Sequence, residues 1–254
     1  MVGQLALDQF IEVRILNPKP IFSNHSSAEI NKYGTTCAQH TGNVIEIYMR
    51  EMCPTTLCWR MLLIFLLERV MLESRYTPPN NFCKYPEYWH SPDSEATEVE
   101  VSEFIGALVR LIQPELVVET GTYKGHSSKQ IGLALHANGH GKLVSIEKDP
   151  LLWEMSKEYV PEYLPVELVL GNSIEYTPIE PIDFAFFDSW QEGRREEFVR
   201  FYQSGFLLAG ATVAFHDTAP HHKVWDSIKY LEGEGLAKFL TFNTPRGLTI
   251  GKVL

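Results

Sequence analysis

The sequence predicts an α/β fold: an open, doubly wound, mostly parallel sheet of seven strands behind a helical N-terminal extension. Two features lead there. From Glu115 onward, short continuous apolar runs alternate with helix-length segments, the rhythm of a parallel sheet covered on both faces. All four cysteines (Cys37, Cys53, Cys58 and Cys83) fall in the first third of the chain, so the chain has two unlike parts. We read these as an extension over residues 1–90 and a sheet domain over residues 91–254. With 254 residues, 44% of them hydrophobic, the chain can bury a sizeable core and is neither low-complexity nor wholly disordered. Its 32 acidic against 22 basic side chains lack the basic footprint of a nucleic-acid or anionic-membrane binder.

The elements follow in order. Residues 1–45 show no clear periodicity, and the N-terminus has acids inside its apolar stretch and no basic start, unlike a secretory signal. A helical stretch is expected from about Ile45 to Tyr76, with Pro54 as a break or first-turn residue. Its most apolar part, Leu57–Leu67, is interrupted by Arg60 and falls short of the ~20 residues that span a bilayer. A Pro- and Asn-rich loop leads to a helical pattern between Ser94 and Ile112. Strands are then expected at 116–119, 143–147, 166–170, 182–187 and 211–215, separated by helices. Phe239–Phe242 and Leu248–Val253 flank a Pro-Arg-Gly turn and read as an antiparallel hairpin. Sparse cysteines suggest a reducing, cytoplasmic setting. A zinc site from Cys37, His40, Cys53 and Cys58 is disfavoured by their loose spacing.

Chemistry-bearing residues gather at the carboxyl ends of these strands, where open α/β sheets hold ligands. The first turn, Glu119-Thr-Gly121-Thr-Tyr123-Lys-Gly125, lets backbone approach a ligand and puts a carboxylate beside it. It lacks the middle glycine of the dinucleotide fingerprint, which argues against a nicotinamide oxidoreductase. Glu147 closes the second strand 26 positions beyond Gly121, where an acid accepts ribose hydroxyls. Asp188 and Asp217 end two adjacent strands, so their carboxylates converge and repel unless a cation lies between them. A hard divalent ion such as Mg2+ is the expected resolution. His216, with an ordinary pKa near neutrality, is the available base, and His221 and His222 lie just beyond.

Over about residues 90–254 the sequence resembles the class I S-adenosylmethionine-dependent methyltransferases. The runs VVETGTYKGHSS, VSIEKDP, IDFAFFDSW and TVAFHDTAP are similar to the catechol O-methyltransferase-like branch, and YWHSPDSEATEVEVSEF to the segment preceding the first motif in small bacterial members. The resemblance implies an S-adenosylmethionine-binding domain over residues 91–254. It places Glu119, Gly121, Tyr123 and Gly125 in the first motif, around the methionine moiety, with Ser127 on the carboxylate. It puts Glu147 on the ribose, Ser173 on the adenine edge and Trp190 against the adenine face. It further implies metal ligands at Asp188, Asp217 and Thr218; with His216 as the available replacement for the base, the expected catalytic set is His216, Asp217 and Asp188. Two positions depart from the pattern: Thr218 stands where an amide is usual, and Gln191 where a lysine base is usual. The implied reaction is methyl transfer to an oxygen of a small molecule, with divalent-metal assistance. The rivals are N-methylation or a hydroxylase-type reaction on the same fold, or a silent cofactor-fold binding protein. The extension is expected to cover the acceptor pocket or form a contact in a homodimer or higher homo-oligomer.

Overall fold

A computed structural model describes residues 82–254 and three two-residue strands before them, 14–15, 45–46 and 73–74. The chain divides into two units, Met1–Phe65 and Leu66–Leu254. In the first, Arg14–Ile15 pairs antiparallel with Ile45–Glu46. In the second, Glu73–Ser74 pairs antiparallel with His90–Ser91. The stretch expected to be helical from Ile45 to Tyr76 thus carries extended backbone near both ends. At its start, Ile45 stands among Val44 and Ile47, β-branched residues that favour pleated backbone. The remainder of that stretch, and most of the extension, lies outside the described residues.

The second unit is built on seven strands: β1 (Leu116–Thr120), β2 (Lys142–Glu147), β3 (Val166–Leu170), β4 (Ile182–Phe187), β5 (Leu207–His216), β6 (Ala237–Phe242) and β7 (Leu248–Val253). They lie in the order β6-β7-β5-β4-β1-β2-β3. β7 runs antiparallel to both its neighbours, and the pairs among β1 to β5 are parallel. Five helices connect them: α1 (Val99–Ile112), α2 (His126–Asn138), α3 (Pro150–Tyr159), α4 (Arg194–Gln203) and α5 (Val224–Gly233). Among the described residues no helix is long and apolar enough to cross a membrane.

The apolar runs become strands because both faces are covered, and the period-2 pleat sends successive side chains to opposite faces. Phe184 and Phe186 face Val101, Ile105 and Val109 of α1 and Ile131 and Leu135 of α2. Ala185 and Phe187 face the other way, into a core with Phe198 and Phe201 of α4 and Ile228 and Leu231 of α5. Helix ends follow local chemistry. Asp149 caps α3 by accepting the N–H groups of Leu151 and Leu152 at 2.8 and 3.2 Å. α2 runs a turn beyond the expected Ala134 and stops at Gly139, whose φ of 79° is left-handed. β5 begins earlier than expected, at Leu207, with a register shift against β4 that carries Gly210 at φ 88°.

Strand order reverses between β1 and β4, and the cleft opens at the carboxyl ends of these two strands. The aromatic cluster beneath it is tight, with the Phe187 and Phe215 rings stacked at 4.6 Å and Phe239 edge-on to Phe215 at 5.9 Å. Phe215→Ala is therefore expected to cost about 3–5 kcal/mol. A denaturant midpoint within error of the parent would contradict that packing.

Candidate functional site

The turn after β1 is shaped by close approach. Gly121 has φ 88°, and a Cβ there would sit 2.5 Å from the backbone oxygen of Asp188, so no side chain fits. Gly125 has φ 84° and abuts Val160, where a Cβ would lie 2.7 Å from the nearest methyl carbon. Gly125 therefore seats α2 and is not a wall of the cleft. Between them Tyr123, itself left-handed at φ 52°, donates its N–H to Glu147 at 2.8 Å. Glu147 also accepts the Asp149 N–H at 2.9 Å, so both its oxygens are oriented while lone pairs remain for a ligand.

The resulting cleft measures about 390 Å³. Of the residues singled out from the sequence, Gly121, Tyr123, Ser127, Glu147, Ser173, Trp190, Asp188 and Asp217 line it. Trp190 is largely exposed, with Lys148 Nζ 5.0 Å from its ring. The Ser173 hydroxyl donates to Glu197, a buried carboxylate that also accepts Ser189 at 2.7 Å and Thr120 at 2.8 Å. Glu197 belongs to the cleft floor, and the sequence reading passed over it.

Glu119 lies outside the cleft lining. It is fully buried, accepting the hydroxyls of Ser128 and of Ser145 (2.6 Å), while its Oε1 has no partner. Burial raises its pKa to about 7 against the opposing serine hydrogen bonds.

At the other end of the cleft, charges are packed together. Nη2 of Arg194 lies 3.2 Å from Asp188 Oδ1 and 3.0 Å from Asp217 Oδ2. Arg246 reaches Asp217 from the hairpin, binding Oδ1 through Nε and Oδ2 through Nη2 at 2.8 Å. Thr97 donates to Asp188 Oδ2, so all four carboxylate oxygens have donors. Asp217 holds this place in a left-handed conformation, φ 58°. Burial would raise its pKa, but His216, Arg194 and Arg246 outweigh this and hold it well below the ordinary carboxylate range.

His216 does not line the cleft. Its ring is 0% exposed, with Nδ1 3.0 Å from Asp188 Oδ1 and Nε2 2.6 Å from Glu98 Oε2. Burial would lower its pKa, but Asp188, Asp217 and Glu98 together raise it to about 9. Both ring nitrogens face carboxylates and neither opens onto the cleft, so the base expected at His216 is not placed against a ligand in this geometry. Gln191, in the lysine position, instead puts its amide nitrogen 2.9 Å from His222 Nδ1. His222 is pushed down to about 4, chiefly by burial, and its ring lies tilted beside that of His221, with centroids 4.2 Å apart.

The metal expectation can be tested against this donor set. Asp188, His216 and Asp217 bring ligand atoms within 4.8 Å of one another. Each of those atoms is already engaged, and the bridging position between the carboxylates holds a guanidinium. The Thr218 hydroxyl is buried away from the cleft, accepting from Thr249 at 2.8 Å. A divalent cation does not fit these residues as arranged. The sequence reading asked for a cation here and overlooked the one present, since Arg194 sits in a polar Arg-Arg-Glu-Glu run that reads as a solvated helix face. Arg246 was hidden in a turn, and Glu98, which also accepts the Arg246 N–H at 3.2 Å, in a helix start.

Residues 118–218 match a family model described as a methyltransferase domain. No curated protein matches the chain. Among solved structures, an SAH-bound methyltransferase from Podospora anserina superposes with a TM-score of 0.57 at 15% identity, covering 81% of this chain and 100% of that one. The O-methyltransferase TomG from Streptomyces achromogenes, in complex with SAM, gives 0.50 at 19% identity, covering 80% and 99%. These likenesses are of fold.

Glu119 supplies a pH test. Its carboxyl ordinarily titrates near 4.5 and in the folded chain near 7, so between these values the folded state keeps a proton that the unfolded state has lost. Its contribution is fully present below 4.5 and declines as pH rises to 7, by roughly 1.4 kcal/mol per unit at most. Glu119→Gln should flatten that part of the stability profile, measured by denaturant titration at several pH values. Parallel profiles for parent and variant would rule the assignment out.

Proposed function

We propose that this chain is a class I S-adenosylmethionine-dependent methyltransferase that methylates an oxygen of a small-molecule acceptor, a reading supported by the methyltransferase-domain match over residues 118–218. The observation that carries the cofactor placement is the pairing of the Gly121 cradle after β1 with Glu147 at the end of β2, both lining the cleft. The cradle admits only backbone, and Glu147 is already held by two N–H groups with acceptor capacity facing the cleft. In this reading Gly121, Tyr123 and Ser127 surround the amino-acid end, Glu147 takes the ribose hydroxyls, and Ser173 and Trp190 border the adenine. Glu119 supports the turn from below. The cofactor supplies an activated methyl group on a sulfonium; the chain's residues hold donor and acceptor in line and keep water out. Asp188, Arg194, Asp217 and Arg246 line the end where the acceptor would meet the methyl group.

Oxygen as the nucleophile is favoured by the O-methyltransferase named among the structural neighbours. A small, non-nucleic-acid acceptor is in keeping with the acidic charge balance, and a cytoplasmic setting with the few cysteines. Calorimetry should show S-adenosylhomocysteine binding with NADH not binding. Glu147→Gln should weaken S-adenosylhomocysteine binding roughly 10- to 100-fold, since a charge-assisted pair of ribose hydrogen bonds is lost. Unchanged affinity in that variant would defeat the placement.

A further inference from the structure

The bridging position at the transfer end is occupied by a side chain of the protein itself. Arg194 is 2% exposed, and each part of its guanidinium has an acceptor: Nε donates to Ser189 O at 2.7 Å, Nη1 to His216 O, and Nη2 to both Asp188 and Asp217. It comes from the first residue of α4 and is held from three sides, so it is built in and cannot swing clear without orphaning these groups. Arg194 and Arg246 grip Asp188 and Asp217, while the two oxygens of Glu98 face His216 Nε2 and the Arg246 N–H. A divalent ion entering here would meet two guanidinium groups and no uncommitted carboxylate oxygen. Mg2+ in addition demands near-octahedral oxygen ligands at short range, which two carboxylates already carrying N–H donors do not offer.

We infer that Arg194 is the resident cation of the transfer site, and that this protein performs its reaction without a divalent metal. The inference rests on the reading of the cleft as a methyl-transfer site. The guanidinium bridges two converging carboxylates that would otherwise repel, and it fixes the floor against which the acceptor is placed. Removing it should expose a cation site that the intact protein lacks. With the long but neutral side chain of Arg194→Met, Asp188, Asp217 and His216 would be left with a vacant bridging position and an uncompensated negative charge.

The test uses the full chain, stripped with a chelator, and Mn2+ followed by electron paramagnetic resonance. The parent should show no saturable Mn2+ site up to roughly millimolar concentration. Its affinity for S-adenosylhomocysteine should be the same with EDTA as with Mg2+. Arg194→Met should bind Mn2+ at least ~10-fold more tightly than the parent, and the further change Asp188→Asn should remove that gain. Stoichiometric Mn2+ binding by the parent that disappears in Asp188→Asn would overturn the inference. So would a folded Arg194→Met protein, judged by circular dichroism, with no gain in Mn2+ affinity. Should Arg194→Met fail to fold, Arg194→Lys keeps the charge and is expected to exclude Mn2+ as the parent does; Mn2+ binding there would count against the inference. Failure of S-adenosylhomocysteine to bind the parent at all would defeat the methyltransfer reading and leave the Mn2+ outcome separately legible.

Discussion

Six ionisable side chains, Glu98, Asp188, Arg194, His216, Asp217 and Arg246, pack together where β4 and β5 end, and all but Asp188 and Arg246 are buried. Each of these, as an ion taken singly out of water, would cost several kcal/mol even after relaxation. They are tolerable only as a set in which every charge has its opposite in contact. The set also decides geometry. Arg246 draws the hairpin turn between β6 and β7 onto the end of β5, and its Nη1 holds the carbonyls of Glu95 and Ala96 at 3.0 and 3.4 Å. Thr97 and Glu98 fasten the same segment to Asp188 and His216. The strap ahead of α1, the two strand ends and the hairpin therefore share one electrostatic anchor, and one wall of the cleft is made of that strap.

The two ends of the cleft are built on different principles. Around Gly121 and Glu147 the chain offers backbone and a single oriented acid, with space left by absent side chains. Around Asp217 it offers charge already neutralised from within. A ligand at the first end finds hydrogen-bonding capacity still unused; one at the second meets a preorganised field whose members cannot rearrange cheaply. This asymmetry suits a reaction in which one partner is gripped tightly and the other is only positioned.

Much of the fold was readable because it depends on local pattern. The apolar runs at β1, β4 and the end of β5 stand out in the sequence, and glycine turns follow β1 and α2. That Glu147 lines the cleft follows from position alone, since a strand end fixes where its carboxylate can be. The transfer end was legible in its anions and not in its cations. Asp188 and Asp217 announce themselves at strand ends, whereas Arg194 and Arg195 are indistinguishable in the sequence and only the fold shows which is buried. His216 shows the same limit: its ordinary pKa suggested a base, but its ring lies against Asp188 and against Glu98, 118 positions away, contacts that only the fold reveals. Glu119 was placed beside the ligand by motif, yet it sits one layer below, because successive residues of a strand and its turn face different layers.

The insertion of β7 between β5 and β6 has a consequence for the order in which the molecule assembles. Arg246 meets the Glu98 carboxylate across 148 positions of chain, among the longest separations of any hydrogen bond at the site. Contacts that distant form after local ones, since the chain entropy of closing so long a loop must first be overcome. A partly folded molecule with β1 to β5 in place would lack the Arg246 arm of this anchor and would leave β5 as an open edge. That exposed edge would be the chain's most vulnerable moment for association with a second copy.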